Sequence, residues 1–256
     1  MITTSIVTKI IFLCGAGFLA AFVDSIAGGG GLISLPAFLA AGVSPHLALG
    51  TNKFCSSSGS FTSALKFVKS KKTNSDLLKY LVPFTLIGAA VGVNTVLKVN
   101  ESFLYSIVLI LILFVGIYTV FSKSIGAENN FKGLTKLNLT LGILLAFSLG
   151  FYDGFFGPGT GSFLIFGLIK IFGFDFVQAA GNGKILNFAS NIASLVLFAI
   201  HGQIDYMIGF PVAIAMILGA RLGTTLAITK GSKLIKPIFV TMSLAVAGKL
   251  IIQNFL

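Results

Sequence analysis

An all-α polytopic membrane protein built from two homologous halves is the fold class this sequence predicts, and three observations predict it. Of 256 residues, 55% are hydrophobic and only 10% charged, and the mean hydropathy is +1.00, far above soluble domains. Apolar runs of about 20 residues, the length a helix needs to cross roughly 30 Å of hydrocarbon, recur from Thr8 to the C-terminus. The runs are continuous rather than alternating, which favours helices over an outer-membrane barrel. The third observation is internal duplication at a spacing of about 130 residues.

The duplication is read residue by residue. Phe22 and Asp24 match Phe151 and Asp153, and Gly28 matches Gly157. After a two-residue insertion Gly42 matches Gly173, Ala48 Ala179, Gly50 Gly181, Lys53 Lys184, Ser63 Ser194 and Phe67 Phe198. The stretch Gly88-Ala89-Ala90-Val91-Gly92 falls on Gly219-Ala220-Arg221-Leu222-Gly223. Residues 1–128 form the first repeat of a transmembrane domain and 129–256 the second, with no extramembrane stretch long enough for a separate domain.

Five apolar segments are expected in the first half, at 8–26, 30–41, 47–68, 76–97 and 101–121. The second is too short to span, as is its counterpart 161–172, so a helix, a glycine-rich break and a short helix form a hairpin or re-entrant element in each half. The remaining segments run 176–200, 205–228 and 233–252. The first run is taken as retained structure rather than a signal peptide, because no polar mature region follows it.

Lysines vote on how the halves are related. If each hairpin enters and leaves on one side, the halves are inverted. Lys66, Lys69, Lys71, Lys72, Lys79, Lys123, Lys132, Lys136, Lys170, Lys230, Lys233 and Lys236 are then cytoplasmic against Lys9, Lys98 and Lys249 outside, twelve to three. Eight parallel spans give ten to five. The positive-inside rule favours inverted repeats, about eight transmembrane segments counting the hairpins, with the lysine-rich loops cytoplasmic. It also explains the net charge of +11 without nucleic acid, since the lysines sit in short loops rather than along one face.

Asp24, Lys53, Asp153, Lys184 and Arg221 stay at membrane depth, where an ionised group costs at least about 2.5 kcal/mol on insertion scales and is used or paired. One reading pairs them within each half, Asp24 with Lys53 and Asp153 with Lys184, to fix the hairpins. The other puts them in a path. The breaks read Asp24-Ser25-Ile26-Ala27-Gly28-Gly29-Gly30-Gly31 and Asp153-Gly154-Phe155-Phe156-Gly157-Pro158-Gly159-Thr160-Gly161. Where such a break opens a helix, unpaired amides and the positive dipole end converge, which suits an anion; glycines serving only close packing are the alternative. Pro158 removes one donor, so the halves are not equivalent. After each break, Gly50-Thr51-Asn52-Lys53 and Gly181-Asn182-Gly183-Lys184 open a span whose Asn52, Ser56 and Ser60, and Asn187 and Asn191, recur every four residues on one face. Such stripes line a wet path or act as interhelical hydrogen-bond glue.

Cys14 and Cys55 lie in apolar runs and predict neither disulfide nor metal site. His46 and His201 are read as surface residues in loops. With no nucleotide-binding loop, nucleophile elbow or His/carboxylate cluster, neither an enzyme nor an ATP-driven motor is expected, and no cofactor.

These motifs, in order, spacing and duplication, resemble the sulfite exporter TauE/SafE family of bacterial membrane proteins over nearly the whole chain. The resemblance rests on Asp24 with Gly28 to Gly31, Gly50-Thr51-Asn52-Lys53, Gly88 to Gly92, and the echoes Gly157 to Gly161 and Gly219 to Gly223. It implies a multi-pass protein of the bacterial inner membrane that moves a sulfur oxyanion or organosulfonate such as sulfite or sulfoacetate. On that expectation the anion sits between the halves on the amides of Gly28, Gly29, Gly30, Gly31, Gly157, Gly159 and Gly161, with Thr160, Lys53 and Lys184, oriented by Asn52, Asn182 and Asn187. Asp24 and Asp153 are candidates for proton or sodium coupling, and Arg221, unmatched by Ala90, for a gate or third anion contact. Access alternates by rocking one repeat against the other. A passive anion channel or a membrane accessory subunit remains as an alternative, and a homo-oligomer is compatible with the sequence.

Overall fold

Capping residues divide the chain into helices. Pro45 fits the first turn of a helix because its missing N–H is unneeded there, and Asn74, Thr135 and Asp175 each accept a backbone N–H three residues on. A computed structural model of the chain describes residues 2–101, 103, 104, 107, 110, 128–131 and 133–230. It gives α1 (Ile2–Ala27), α2 (Gly31–Ala40), α3 (Pro45–Lys69), α4 (Ser75–Val96), α5 (Lys136–Phe155), α6 (Thr160–Phe172), α7 (Phe176–Ile200) and α8 (Tyr206–Lys230). Among the described residues there is no strand. Five of these helices are long and apolar enough to cross a membrane, while α2 and α6 are apolar but short. Of the segment expected at 101–121 only isolated positions are described. That at 233–252, with Lys123, Lys132, Lys233, Lys236 and Lys249, lies outside the described residues.

Polarity is inverted relative to a soluble protein. Ile11, Phe12, Leu19, Phe210, Ile214 and Leu218 are exposed, whereas Asn52, Lys53, Asp153, Lys184 and Asn191 are buried. Hydrocarbon is the solvent that makes this arrangement stable, and the chain is a multi-pass membrane protein.

Each glycine-rich break reverses the chain. Gly28 and Gly29 have φ of 77° and 89°, and Gly157 and Gly159 of 99° and 87°, conformations that side chains resist. Past the first break, Gly30 lies against the Ala20 carbonyl and Asp24 of α1. Past the second, α6 runs back along α5, with Gly167 on Leu145 and Phe172 on Gly142. Both elements are therefore hairpins rather than single broken spans.

Long helices of different halves pack most intimately. Gly219 and Gly223 of α8 abut the carbonyls of Phe18 and Phe22 on α1, and Gly88 and Gly92 of α4 abut those of Phe147 and Phe151 on α5. Sequence-aligned positions thus make matching contacts, and in both pairs the helices run in the same direction. α3 and α7 instead cross antiparallel at the centre, with Gly50 near Phe198, Phe61 near Phe188 and Gly181 near Phe67. His46, expected in a surface loop, is buried in the first turn of α3, where its Nε2 lies 3.0 Å from the Val96 carbonyl oxygen. Residues 45 and 46 belong to the helix because Pro45 starts it. His201 is exposed at the end of α7, as expected.

Candidate functional site

The two hairpin tips meet. A Cβ on Gly28 would stand 2.2 Å from the Ser162 nitrogen, so only glycine allows the approach, and Ser162 Oγ donates to the Ala27 carbonyl at 3.1 Å. Beside this junction lies a cavity of ≈ 40 Å³, about three times the roughly 10–15 Å³ one water needs. Both hairpins, α3, α7 and Met216 of α8 line it.

Short helices α2 and α6 start at the cavity, capped by Gly30 and Gly159 with no side-chain cap. The amides of Gly29, Gly31, Gly159 and Gly161, all cavity-lining residues, donate to no protein acceptor among the described residues. Two positive helix ends and four glycines whose amides have no acceptor among the described residues therefore border one small volume, an arrangement that suits an anion.

Around this donor set sit two ion pairs. Lys53 Nζ lies 2.9 Å from Asp153 Oδ1, with both side chains at most 3% exposed, and also donates to Asn191 Oδ1 at 3.2 Å. Ser190 Oγ donates to the other Asp153 oxygen. Lys184 Nζ lies 2.5 Å from Asp24 Oδ2, and the Asp24 side chain keeps 24% of its surface accessible. Pairing within each half, Asp24 with Lys53 and Asp153 with Lys184, is therefore corrected: each lysine takes the aspartate of the other half. The antiparallel crossing of α3 and α7 brings Lys53 beside Gly157 of the opposite break and Lys184 against Asp24.

A family model for the sulfite exporter TauE/SafE family matches residues 13–250. The chain belongs to the TauE/SafE family. Relatives of this TauE/SafE protein include the "Probable membrane transporter protein" of Haemophilus influenzae, 39% identical over 92% of this chain and 91% of the relative. "Probable membrane transporter protein YfcA" of Escherichia coli K12 is 37% identical over 92% and 87%, and "Probable membrane transporter protein YunE" of Bacillus subtilis 24% identical over 84% and 88%. No solved structure matches significantly.

In this TauE/SafE chain Gly29, Gly30, Gly31, Asn52, Lys53, Gly157, Gly159, Gly161 and Asn187 line the cavity together with Asp24 and Asp153. Other candidates lie elsewhere. Gly28 is consumed by the tip junction, and Lys184 stands behind Asp24. The Thr160 hydroxyl donates to the Gly157 carbonyl at 2.7 Å and so steadies the second break. Asn182 accepts from the Asn74 amide at 2.7 Å and donates to the Gln178 carbonyl; it ties α7 to the 70–74 turn and does not line this cavity. Arg221 is exposed and does not line this cavity, because Gly219 and Gly223 turn the opposite face of α8 to α1. Sequence reasoning missed Ser34, Gly59 and Met216 as lining residues, and Ser190 as the partner of Asp153. Neither Ser34 nor Gly59 is echoed in kind in the other half, so the duplication gave no signal for them.

Proposed function

We propose that this TauE/SafE protein is a secondary transporter of a small anion, a sulfur oxyanion or small organosulfonate, held at the hairpin junction and released by alternating access. The observation that carries the reading is the convergence of four unpartnered glycine amides and two helix N-termini on a cavity flanked by Lys53. The relatives' names speak for transport without naming a solute, and the family's description names sulfite export. The chemistry follows from the donor set: oxygens of the anion take amides of Gly29, Gly31, Gly159 and Gly161, and Lys53 supplies charge once the anion competes with Asp153 for it. Protonation of Asp153 or Asp24, or a sodium ion beside one of them, would relieve the carboxylate so displaced and couple transport to an ion gradient.

Inverted repeats supply the moving parts in this reading. The antiparallel crossing of the aligned helices α3 and α7 supports a two-fold axis in the membrane plane, and rocking of one unit about the junction exposes the cavity to either side. The bacterial inner membrane, with the 70–74 turn and its flanking Lys66, Lys69, Lys71, Lys72 and Lys79 cytoplasmic, is the matching location.

Flux of radiolabelled sulfite, and of an organosulfonate, into proteoliposomes tests the proposal. Saturable uptake with acceleration by anion on the opposite face is expected, together with loss of uptake in Lys53→Gln. Undiminished uptake in Lys53→Gln would remove the cavity from the path, and flux driven by voltage alone without counterflow would make the protein a channel.

A further inference from the structure

We infer that the anion taken by this cavity carries its own hydrogen-bond donor, so that a monoanion bearing an N–H or O–H is preferred over one of equal size and charge without it. The inference rests on the anion-site reading above and narrows the substrate class.

It starts from Asn52. This residue lines the cavity and is 5% exposed, and its Oδ1 is, among the described residues, the one buried side-chain nitrogen or oxygen without a hydrogen-bond partner. Buried polar groups are nearly always met, and a lone exception marks a place where something else completes the bonding. Farther along α3, Ser57 Oγ donates to the Lys53 carbonyl at 2.7 Å and Ser60 Oγ to the Ser56 carbonyl at 2.7 Å. Asn52 Oδ1 is an acceptor and needs a donor.

Asp24 adds a second acceptor to the same cavity. Its Oδ1 takes the Gly30 amide at 3.2 Å and its Oδ2 takes Lys184, yet two carboxylate oxygens offer about four lone-pair sites, and the side chain is partly accessible. Residues with unpartnered donors, in the glycine breaks, and residues with unfilled acceptors, Asp24 on α1 and Asn52 on α3, therefore line one cavity. An anion that only accepts would satisfy the amides and leave Asn52 Oδ1 unmet; a cation would do the reverse. The side-chain charge of Lys53, Lys184, Asp24 and Asp153 sums to zero, so the helix ends support one negative charge better than two. One small occupant answers all of this: a monoanion with a donor on one end.

Sulfamate and methanesulfonate are the probes, since they share charge and shape and differ by an amino group in place of a methyl. Affinities are measured by isothermal titration on the purified full chain in sodium-free detergent buffer. Sulfamate is expected to bind roughly five- to a hundredfold more tightly, the penalty of leaving one buried acceptor unmet. Asn52→Ala is expected to remove most of that difference while methanesulfonate still binds. Equal affinities in the wild type would overturn the inference and leave the anion site standing, whereas binding of neither probe would remove the anion site itself. Methanesulfonate affinity that rises with added sodium and loses that rise in Asn52→Ala would also overturn it, because a cation would then be what meets the carbonyl. The wild-type comparison decides the matter even if the variant fails to fold.

Discussion

Removing one partner of a buried ion pair should cost far more than removing both, and the cross-half pairing says which two residues make a pair. Lys53→Met leaves the Asp153 carboxylate, 2% exposed, with only the Ser190 hydroxyl, at an expected cost of about 3–5 kcal/mol. Asp153→Leu strands the Lys53 ammonium against Asn191 with a similar cost. The double variant Lys53→Met/Asp153→Leu replaces the pair by apolar groups of similar volume and should return close to wild type or above it. The coupling in the cycle is then at least about 6 kcal/mol, whereas Lys53→Met with Asp24→Leu, which form no ion pair or hydrogen bond with each other, should couple far more weakly. At roughly 2–4 °C per kcal/mol for a chain of this size, each single variant should unfold on the order of 10 °C lower. The chain has no Trp, so a thiol-reactive dye is the suitable reporter: Cys55 is fully buried in α3 and becomes reactive on unfolding. Stronger coupling of Lys53 to Asp24 than to Asp153 would refute the cross-half pairing and with it the placement of the cavity.

Close packing gives a second expectation: Gly219→Ala, whose Cβ would stand 2.2 Å from the Phe18 carbonyl oxygen, should lower stability by about 1–3 kcal/mol, while Gly15→Ala, with nothing within 4 Å, should be neutral or stabilising in the same dye assay. Topology gives a third: in a background lacking Cys14 and Cys55, Ser75→Cys and His201→Cys should label with an impermeant reagent from opposite faces of the membrane, and labelling from the same face would exclude inverted repeats. Arg221→Gln should leave sulfite uptake by proteoliposomes within about twofold of wild type, since the side chain lies outside the cavity; a deeper loss would return Arg221 to the path.

Much of the architecture was legible because glycine and charge are so constrained in hydrocarbon. Glycine-rich tracts a few residues after an aspartate, Gly28 to Gly31 and the alternating Gly157, Gly159 and Gly161, pointed to both hairpins, whereas Pro45 as a helix start went unread and left His46 in a loop. Two candidate residues lie off the cavity for one geometric reason. Asn182 lies two residues before Lys184 and Arg221 two after Gly219, about 200° around a helix, so each points away from the face its neighbour defines. Partner choice in the ion pairs was not legible at all. A repeat tells which residues correspond, but whether a lysine meets its own half's aspartate or the other's depends on how α3 and α7 cross, and that is set by packing along their whole length rather than by any local motif.

Duplication makes the scaffold nearly symmetric, and the cavity exists where the symmetry fails. Ser56, Gly59 and Ser60 on α3 align with Asn187, Ser190 and Asn191 on α7, smaller residue for larger at each step. On the α7 side Ser190 and Asn191 reach across to Asp153 and Lys53 and close the space; on the α3 side Gly59 offers Asp24 no hydroxyl, so that carboxylate keeps an accessible face. These differences are in the sequence, so they persist whichever way the cavity opens. Gly59→Ser tests the point directly. A Cβ there would meet only ordinary contacts, 3.5 Å to Ala21 Cβ and 3.6 Å to Met216 Cβ, and serine is a slightly better helix former than glycine, so the unfolding temperature should hold or rise. The added hydroxyl should instead occupy the space beside Asp24, as Ser190 does beside Asp153, and weaken anion binding about tenfold or more. If affinity is unchanged in a variant that folds normally, the asymmetry between the halves is incidental and the ligand sits elsewhere.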